Sequence, residues 1–283
     1  SIRDLGLGPL PQLRAPARGA ERLLRDVDVA PTSEPSLLRL PDFVIIGTMK
    51  GGTTALTRGL RNHPNVFIAP GKEVHYFDEH YERGIDWYAE KFSMAAEDQV
   101  IGEATPRYMD DQAVAGRMVG ALPKARFVAI LRNPTDRAYS HYWHNRYRNR
   151  ETKAFEEVIG DGCNTSEPYG YIEMGRYLDQ LRYLEKQVGA ARILVVLNED
   201  LRFDRAATLG KVWTYIGTDP DKGDPDQTLP KSLKGRVKQR RRDRRSQYPP
   251  LHPDTRKFLT SFYREEVAAL ESWLGRDLSA WRI

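Results

Sequence analysis

Apolar residues along this chain fall into two kinds of run. Three runs are short and unbroken: "FVII" at 43–46, "RFVAILR" at 126–132 and "RILVVL" at 192–197. Consecutive apolar positions over a strand's length predict strands buried on both faces, as in a parallel sheet covered by helices. The other runs are spaced. Leu56 and Leu60 share one helical face, as do Leu178, Leu181 and Leu184 in "RYLDQLRYLEKQ". "AATLGKVWTYIG" reads as a helix closing at Gly217. "HPDTRKFLTSFYREEVAALESWLGRDL" reads as one amphipathic helix, with Asp254 near its start and Gly275 near its end. Strands alternating with helices predict an α/β fold, a central, mainly parallel sheet flanked by helices in three layers.

The edges of this pattern set the expected organisation. Residues 1–40 are rich in Pro, Arg and Ala and keep no period, so an arm or linker is expected, with a short helix around Ala20 to Arg25. One domain is expected over 41–283. Within it, "DPDKGDPDQTLPKSLKGRVKQRRRDRRSQYPPLHP" is loop-like and holds the densest basic run, "RVKQRRRDRR".

Composition narrows the class. A chain of 283 residues that is 40% apolar can bury one large core. Its mean hydropathy of −0.62 is that of a soluble globular chain. No apolar run approaches the length of a membrane span. The start lacks the apolar core of a secretory signal and lacks methionine, so a trimmed chain is read, with an upstream anchor left open. Cys163 is the only cysteine, which rules out an internal disulfide and a thiolate zinc cluster. A reducing, cytoplasmic setting is expected. The net charge of +5 suits an anionic ligand.

The candidate chemistry begins in "FVIIGTMKGGTTALTRGL", residues 43–60. A buried strand delivers the chain to the carboxyl edge of the sheet, where α/β proteins bind ligands. Gly47, Gly51 and Gly52 let backbone approach an anion. The helix that starts near Thr53 points N–H groups and its positive end at the same place. Thr53 and Thr54 add hydroxyl donors and Lys50 a full charge. A turn whose lysine faces water is the plainer alternative. A Walker A loop would carry its lysine after the glycines, followed by a hydroxyl for magnesium. Here Lys50 precedes them.

That order resembles the 5′-phosphosulfate loop of sulfotransferases that use 3′-phosphoadenosine 5′-phosphosulfate (PAPS). Five further blocks carry the resemblance: "GKEVHYFDEHYERGIDWYAEKF" at 71–92, "IGEATPRYM" at 101–109, "LPKARFVAILRNPTDRAYSHYWH" at 122–144, "RILVVLNEDL" and the terminal "LGRDLSAW". They are most similar to the heparan sulfate glucosaminyl 3-O- and N-sulfotransferase type and its bacterial relatives. The resemblance implies a P-loop-like fold, PAPS as co-substrate and PAP as product. It implies donor binding by Lys50, Gly51, Gly52, Thr53, Thr54, Arg132 and Ser140. It extends, over the basic loop, to Arg244, Arg245, Ser246, Gln247 and Tyr248. It implies Glu73 as general base, with Lys50 stabilising the leaving phosphate and His75 either carrying a proton or orienting the acceptor.

The residues allow part of this independently. Arg132 ends a buried strand and can grip a phosphate in a bidentate way, though alone it reads equally as a rim ion pair. Ser140 alone is an ordinary helix serine, Glu73 alone a surface carboxylate paired with Lys72, and His75 equally a structural histidine. The chain also departs from the family pattern. Ala104 stands where the family often has lysine, the family's cysteine-bridged hairpin has no counterpart, and the family's Lys-Gly-Arg stretch before "YP" here keeps its charge without the glycine. A hydroxyl or amine of a saccharide or small metabolite is the expected acceptor, met by segments around 76–92, 107–117 and 141–176, with Arg146, Arg148 and Arg150 either greeting an anionic acceptor or forming a wet helix face. No metal and no nucleic-acid partner are expected; the oligomeric state is not readable. Two other readings stay open: a P-loop kinase using Mg-ATP, and a nucleic-acid-binding module using "RVKQRRRDRR".

Overall fold

The computed structural model describes residues 39–71, 73–160, 169–227 and 248–283. The expected arm lies outside these residues apart from Arg39 and Leu40. So do Lys72, Cys163, the basic run, and Arg244, Arg245, Ser246 and Gln247 of the expected donor set.

The three unbroken apolar runs are strands: β1 (Phe43–Gly47), β4 (Arg126–Leu131) and β5 (Ile193–Leu197). Two more, β2 (Val66–Ile68) and β3 (Val100–Ala104), complete a five-stranded sheet in the order β2-β3-β1-β4-β5. Every pairing is parallel. β1 is therefore central, with Val44 opposite Glu103 on one side and Phe127 on the other. The loop after a central strand emerges in the crevice where ligands of open α/β sheets bind.

The helices among the described residues are α1 (Thr53–Leu60), α2 (Tyr76–Glu79), α3 (Gly84–Ala89), α4 (Gln112–Ala121), α5 (Pro134–Arg146) and α6 (Phe155–Ile159). They continue with α7 (Tyr177–Val188), α8 (Asn198–Phe203), α9 (Arg205–Ile216), α10 (Pro253–Phe262) and α11 (Arg264–Leu274). Alternate strand residues pack against opposite layers. Phe43 and Ile45 of β1, with Val128 and Ile130 of β4, meet Leu56 and Leu60 of α1 and Leu209, Val212 and Trp213 of α9. Val44 and Ile46, with Phe127, Ala129 and Leu131, meet Leu178, Leu181 and Leu184 of α7 and Leu259 and Leu270 of the last two helices. Each such side chain, fully buried, contributes about 1.5–3 kcal/mol. The alternation gives the three-layer architecture expected from the sequence.

Two expectations are corrected. The single helix expected from Asp254 to Gly275 is two helices, α10 and α11, meeting at Tyr263. Tyr263 keeps helical dihedrals (φ −83, ψ 0), is 1% exposed, and donates its hydroxyl to the Ile172 carbonyl at 2.8 Å. The segments 76–92 and 107–117, expected as loops, hold α2, α3 and most of α4.

Candidate active site

Close packing shapes the loop between β1 and α1. A Cβ on Gly51 would lie 2.3 Å from the Ile130 carbonyl oxygen, and one on Gly52 would lie 2.4 Å from Nδ2 of Asn198. Gly52 also sits at φ +120, a region that side chains avoid. Asn198, at the start of α8, donates Nδ2 to the Gly51 carbonyl at 2.7 Å. The loop is thus drawn down onto the ends of β4 and β5. Gly52 caps α1 without a side-chain hydrogen bond, so the first-turn N–H groups of that helix remain aimed at the crevice. Thr53 is buried at the same end and Thr54 is half-buried. These are the features of an anion cradle.

The next strand delivers the second pair. Arg132 directly follows β4, and its carbonyl accepts the Tyr177 hydroxyl at 2.8 Å. Asn133 then caps α5, its Oδ1 accepting the Thr135 and Asp136 N–H groups at 3.0 and 3.3 Å, with Pro134 at the first helical position. Ser140 lies two turns into this helix and is 8% exposed. Helical spacing sets Arg137, Ser140, His141 and His144 along one face of α5. Tyr248 stacks on Trp143 of the same helix (6.0 Å, 4°) and meets Tyr139 edge-on at 5.3 Å. Its ring contacts therefore dock Tyr248 on the helix that carries Ser140.

Across from the glycine loop, β2 leads into the segment carrying Glu73 and His75. His75 Nε2 is 3.4 Å from Glu73 Oε2, and its Nδ1 is 2.9 Å from Asp78 Oδ2. Glu79 Oε1 lies 3.7 Å from the same Nδ1. The bond to Asp78, then the one to Glu73, push the imidazole up from 6.5 to about 10, against the opposing effect of burial. His75 is therefore a cation at neutral pH, held between carboxylates. Because its folded pKa is raised, its stabilising effect is complete below pH 6.5 and lost as pH rises through about 10. The stability difference between the parent and His75→Gln, followed by denaturant titration, is expected to shrink steadily across that window.

His144 has the opposite character. Burial lowers its pKa to about 4, helped by the positive charges of Lys50, Arg148 and Arg150, while Glu73 opposes the shift. Lys50 and Glu73 each act electrostatically on His144, so the glycine loop and the Glu73 segment both lie within reach of the end of α5. Lys50, Glu73 and His75 also share left-handed backbone, with φ of 69, 64 and 53. Such residues cost about 1–3 kcal/mol each and gather at functional sites, where the surroundings hold them. Beneath the Glu73 segment, Glu103 of β3 is fully buried, and burial raises its carboxyl to about 8.

Of the expected residues, Lys50, Gly51, Gly52, Thr53 and Thr54 lie together where β1 turns into α1, and Glu73 joins His75. Arg132 precedes α5, Ser140 lies midway along it, and Tyr248 packs on that helix. Arg148 and Arg150 bear on His144, whereas Arg146 is used locally, donating NH1 to the Glu151 carbonyl at 3.1 Å. Two site residues were missed from sequence. Asp78 stands three residues after His75 on the first helical turn of α2. His144 stands four after Ser140 and so shares its face. The ligand atoms of Asp78, His75 and Glu79 lie within 4.8 Å of one another, but protonated His75 has no free lone pair to offer a metal. Ala104 is 2% exposed and packs among Ile45 and Leu56, so no charge takes the place of the family's lysine on that strand.

A family model described as sulfotransferase domain matches residues 40–268. Human bifunctional heparan sulfate N-deacetylase/N-sulfotransferase 2 is 31% identical over 88% of this chain and 32% of its own length. The membrane-associated sulfotransferase kil1 of Dictyostelium discoideum is 34% identical over 55% of this chain and 36% of its own. The chain spans about a third of the length of these curated relatives. Among solved structures, a sulfotransferase from Alicyclobacillus acidocaldarius superposes with a TM-score of 0.71 at 30% identity, over 87% of this chain and all of that one. No helix among the described residues is long and apolar enough to cross a membrane.

Proposed function

The chain belongs to the sulfotransferase domain family, and from that premise we propose that it moves a sulfuryl group from PAPS to a hydroxyl or amine of a saccharide or small-molecule acceptor. The observation that carries this reading is that the Lys50 loop and the Glu73 segment both lie within reach of the His144 end of α5. The cradle fits a phosphosulfate. It has no room for Cβ atoms at Gly51 and Gly52, it presents an uncapped helix end, and its lysine precedes the glycines.

In this reading Glu73 takes the proton from the acceptor O–H or N–H as that atom bonds to sulfur. The sulfur–oxygen bond to the 5′-phosphate breaks in line. Lys50 and the α1 N–H groups neutralise the charge left on the phosphate oxygen, and PAP departs. The proton passes from Glu73 to water. Arg132 and Ser140 hold the 3′-phosphate; the expected donor contacts at 244–247 lie outside the described residues. His75, already protonated, orients Glu73 and does not receive the proton. His144, neutral and beside Lys50, is the second group able to accept one. Arg148 and Arg150, in place of a lysine at Ala104, favour an acceptor bearing negative charge.

No metal takes part in this scheme, and a reducing compartment remains our reading of a chain with one cysteine. The test is a mass-spectrometric screen of hydroxyl- and amine-bearing saccharides and metabolites with PAPS, run with and without EDTA. Sulfated product unaffected by EDTA is expected. Phosphorylated product with Mg-ATP, abolished by EDTA, would favour a kinase instead.

A further inference from the structure

The Glu73 segment holds two residues in left-handed backbone, Glu73 and His75, and carries a helix of only one turn. Its own backbone bonds, from the Glu79 and His80 N–H groups to the His75 carbonyl at 3.0 and 2.9 Å, close the single turn and do not tie the segment to the sheet. The bonds that do so come from β3 and α4. The buried Thr105 hydroxyl, just past β3, accepts the His75 N–H at 3.4 Å. The Tyr108 hydroxyl accepts the Phe77 N–H at 3.2 Å, and the two rings meet edge-on at 5.3 Å. Arg117 of α4 donates NH1 to the Phe77 carbonyl at 3.0 Å and lies 4.8 Å over the Tyr81 ring. The turn that presents Thr105 and Tyr108 is itself tied to the central strand, where the Met109 N–H meets the Ile46 carbonyl at 3.1 Å. Tyr108 is completely buried and touches no part of the crevice.

We propose that Tyr108 and Thr105, braced by Arg117, are positioning residues that hold the Glu73–His75 pair in its working geometry. The inference rests on the reading of Glu73 as the base, and it extends that reading to residues that never meet an acceptor. It places the β3–α4 turn under the base as Asn198 stands under the donor loop. The titratable groups facing His75 are Glu73, Asp78 and Glu79 from its own segment and the largely protonated Glu103 from β3.

The experiment reads His75 by NMR titration of the histidine-labelled full chain, with PAP affinity measured in parallel. Glu73→Gln sets the scale for loss of the Glu73 contact. Tyr108→Phe and Thr105→Val are each expected to lower the His75 titration midpoint by about one pH unit or more, with PAP affinity unchanged within about twofold. Thr105→Ser is expected to return it to the parent value. Parent-like titration in both Tyr108→Phe and Thr105→Val overturns the proposal. So does a shift matched by equal loss of PAP binding, which marks general loosening. If Tyr108→Phe does not fold, Thr105→Val and Thr105→Ser decide it alone. A parent that fails to bind PAP counts against the donor reading only, because the His75 shift is read without ligand.

Discussion

Glu73→Gln is expected to lower kcat by roughly 10²- to 10⁴-fold, the usual worth of a positioned general base. The amide keeps the size and the left-handed backbone site of the carboxylate but cannot take a proton. Its effect should appear in kcat and not in donor affinity, because in the proposed mechanism Glu73 acts on the acceptor. PAP affinity should therefore stay within about twofold. The contact with His75 sharpens the expectation. His75 is a cation at neutral pH, and its Nε2 holds the carboxylate in place at 3.4 Å. Removing the carboxylate leaves that cation with Asp78 and Glu79, so the fold should survive the change. Full activity in this variant would remove Glu73 from the mechanism and turn attention to His144, whose pKa of about 4 leaves it neutral at working pH.

Lys50→Ala is the second large effect. Lys50 sits in left-handed backbone next to two glycines whose Cβ positions are blocked by Ile130 and Asn198. The loop geometry is therefore set by the glycines and their neighbours, and truncating the lysine should leave it in place. What is lost is a full charge at the phosphate end of α1. Removing one preorganised group that stabilises developing charge commonly costs about 10²- to 10³-fold in kcat. PAP retains a phosphate at that position, so its affinity should fall as well, by about tenfold or more, equivalent to roughly 1.4 kcal/mol or more.

How much of this was legible in the sequence depended on where the signal lies. β1, β4 and β5 are buried on both faces, and their unbroken apolar runs announce them. β2 has three residues, and β3 reads "VIGEA", with a glycine and a buried carboxylate breaking the run. Glu103 is tolerated there because Tyr88 and Tyr108 lean towards it and its raised pKa keeps it largely protonated, an arrangement no local pattern reveals. The turn between α10 and α11 was hidden for a related reason. Tyr263 is neither glycine nor proline, and its tie to Ile172 spans distant chain. At the site, the glycine loop is contiguous and was readable. Glu73 and His75 stood out only through family resemblance. Asp78 and His144 act through contacts made by folding, although their spacings of three from His75 and four from Ser140 were available signals. Arg244, Arg245, Ser246 and Gln247 lie outside the described residues and remain expectations.

The most direct test of the central claim is calorimetric titration of the purified chain with PAP, the desulfonated donor, for the parent and for Lys50→Ala. The account predicts one site per chain, micromolar or tighter affinity without added metal, and binding weakened by about tenfold or more in the variant. Absence of binding in the parent, or equal binding in both proteins, would contradict it.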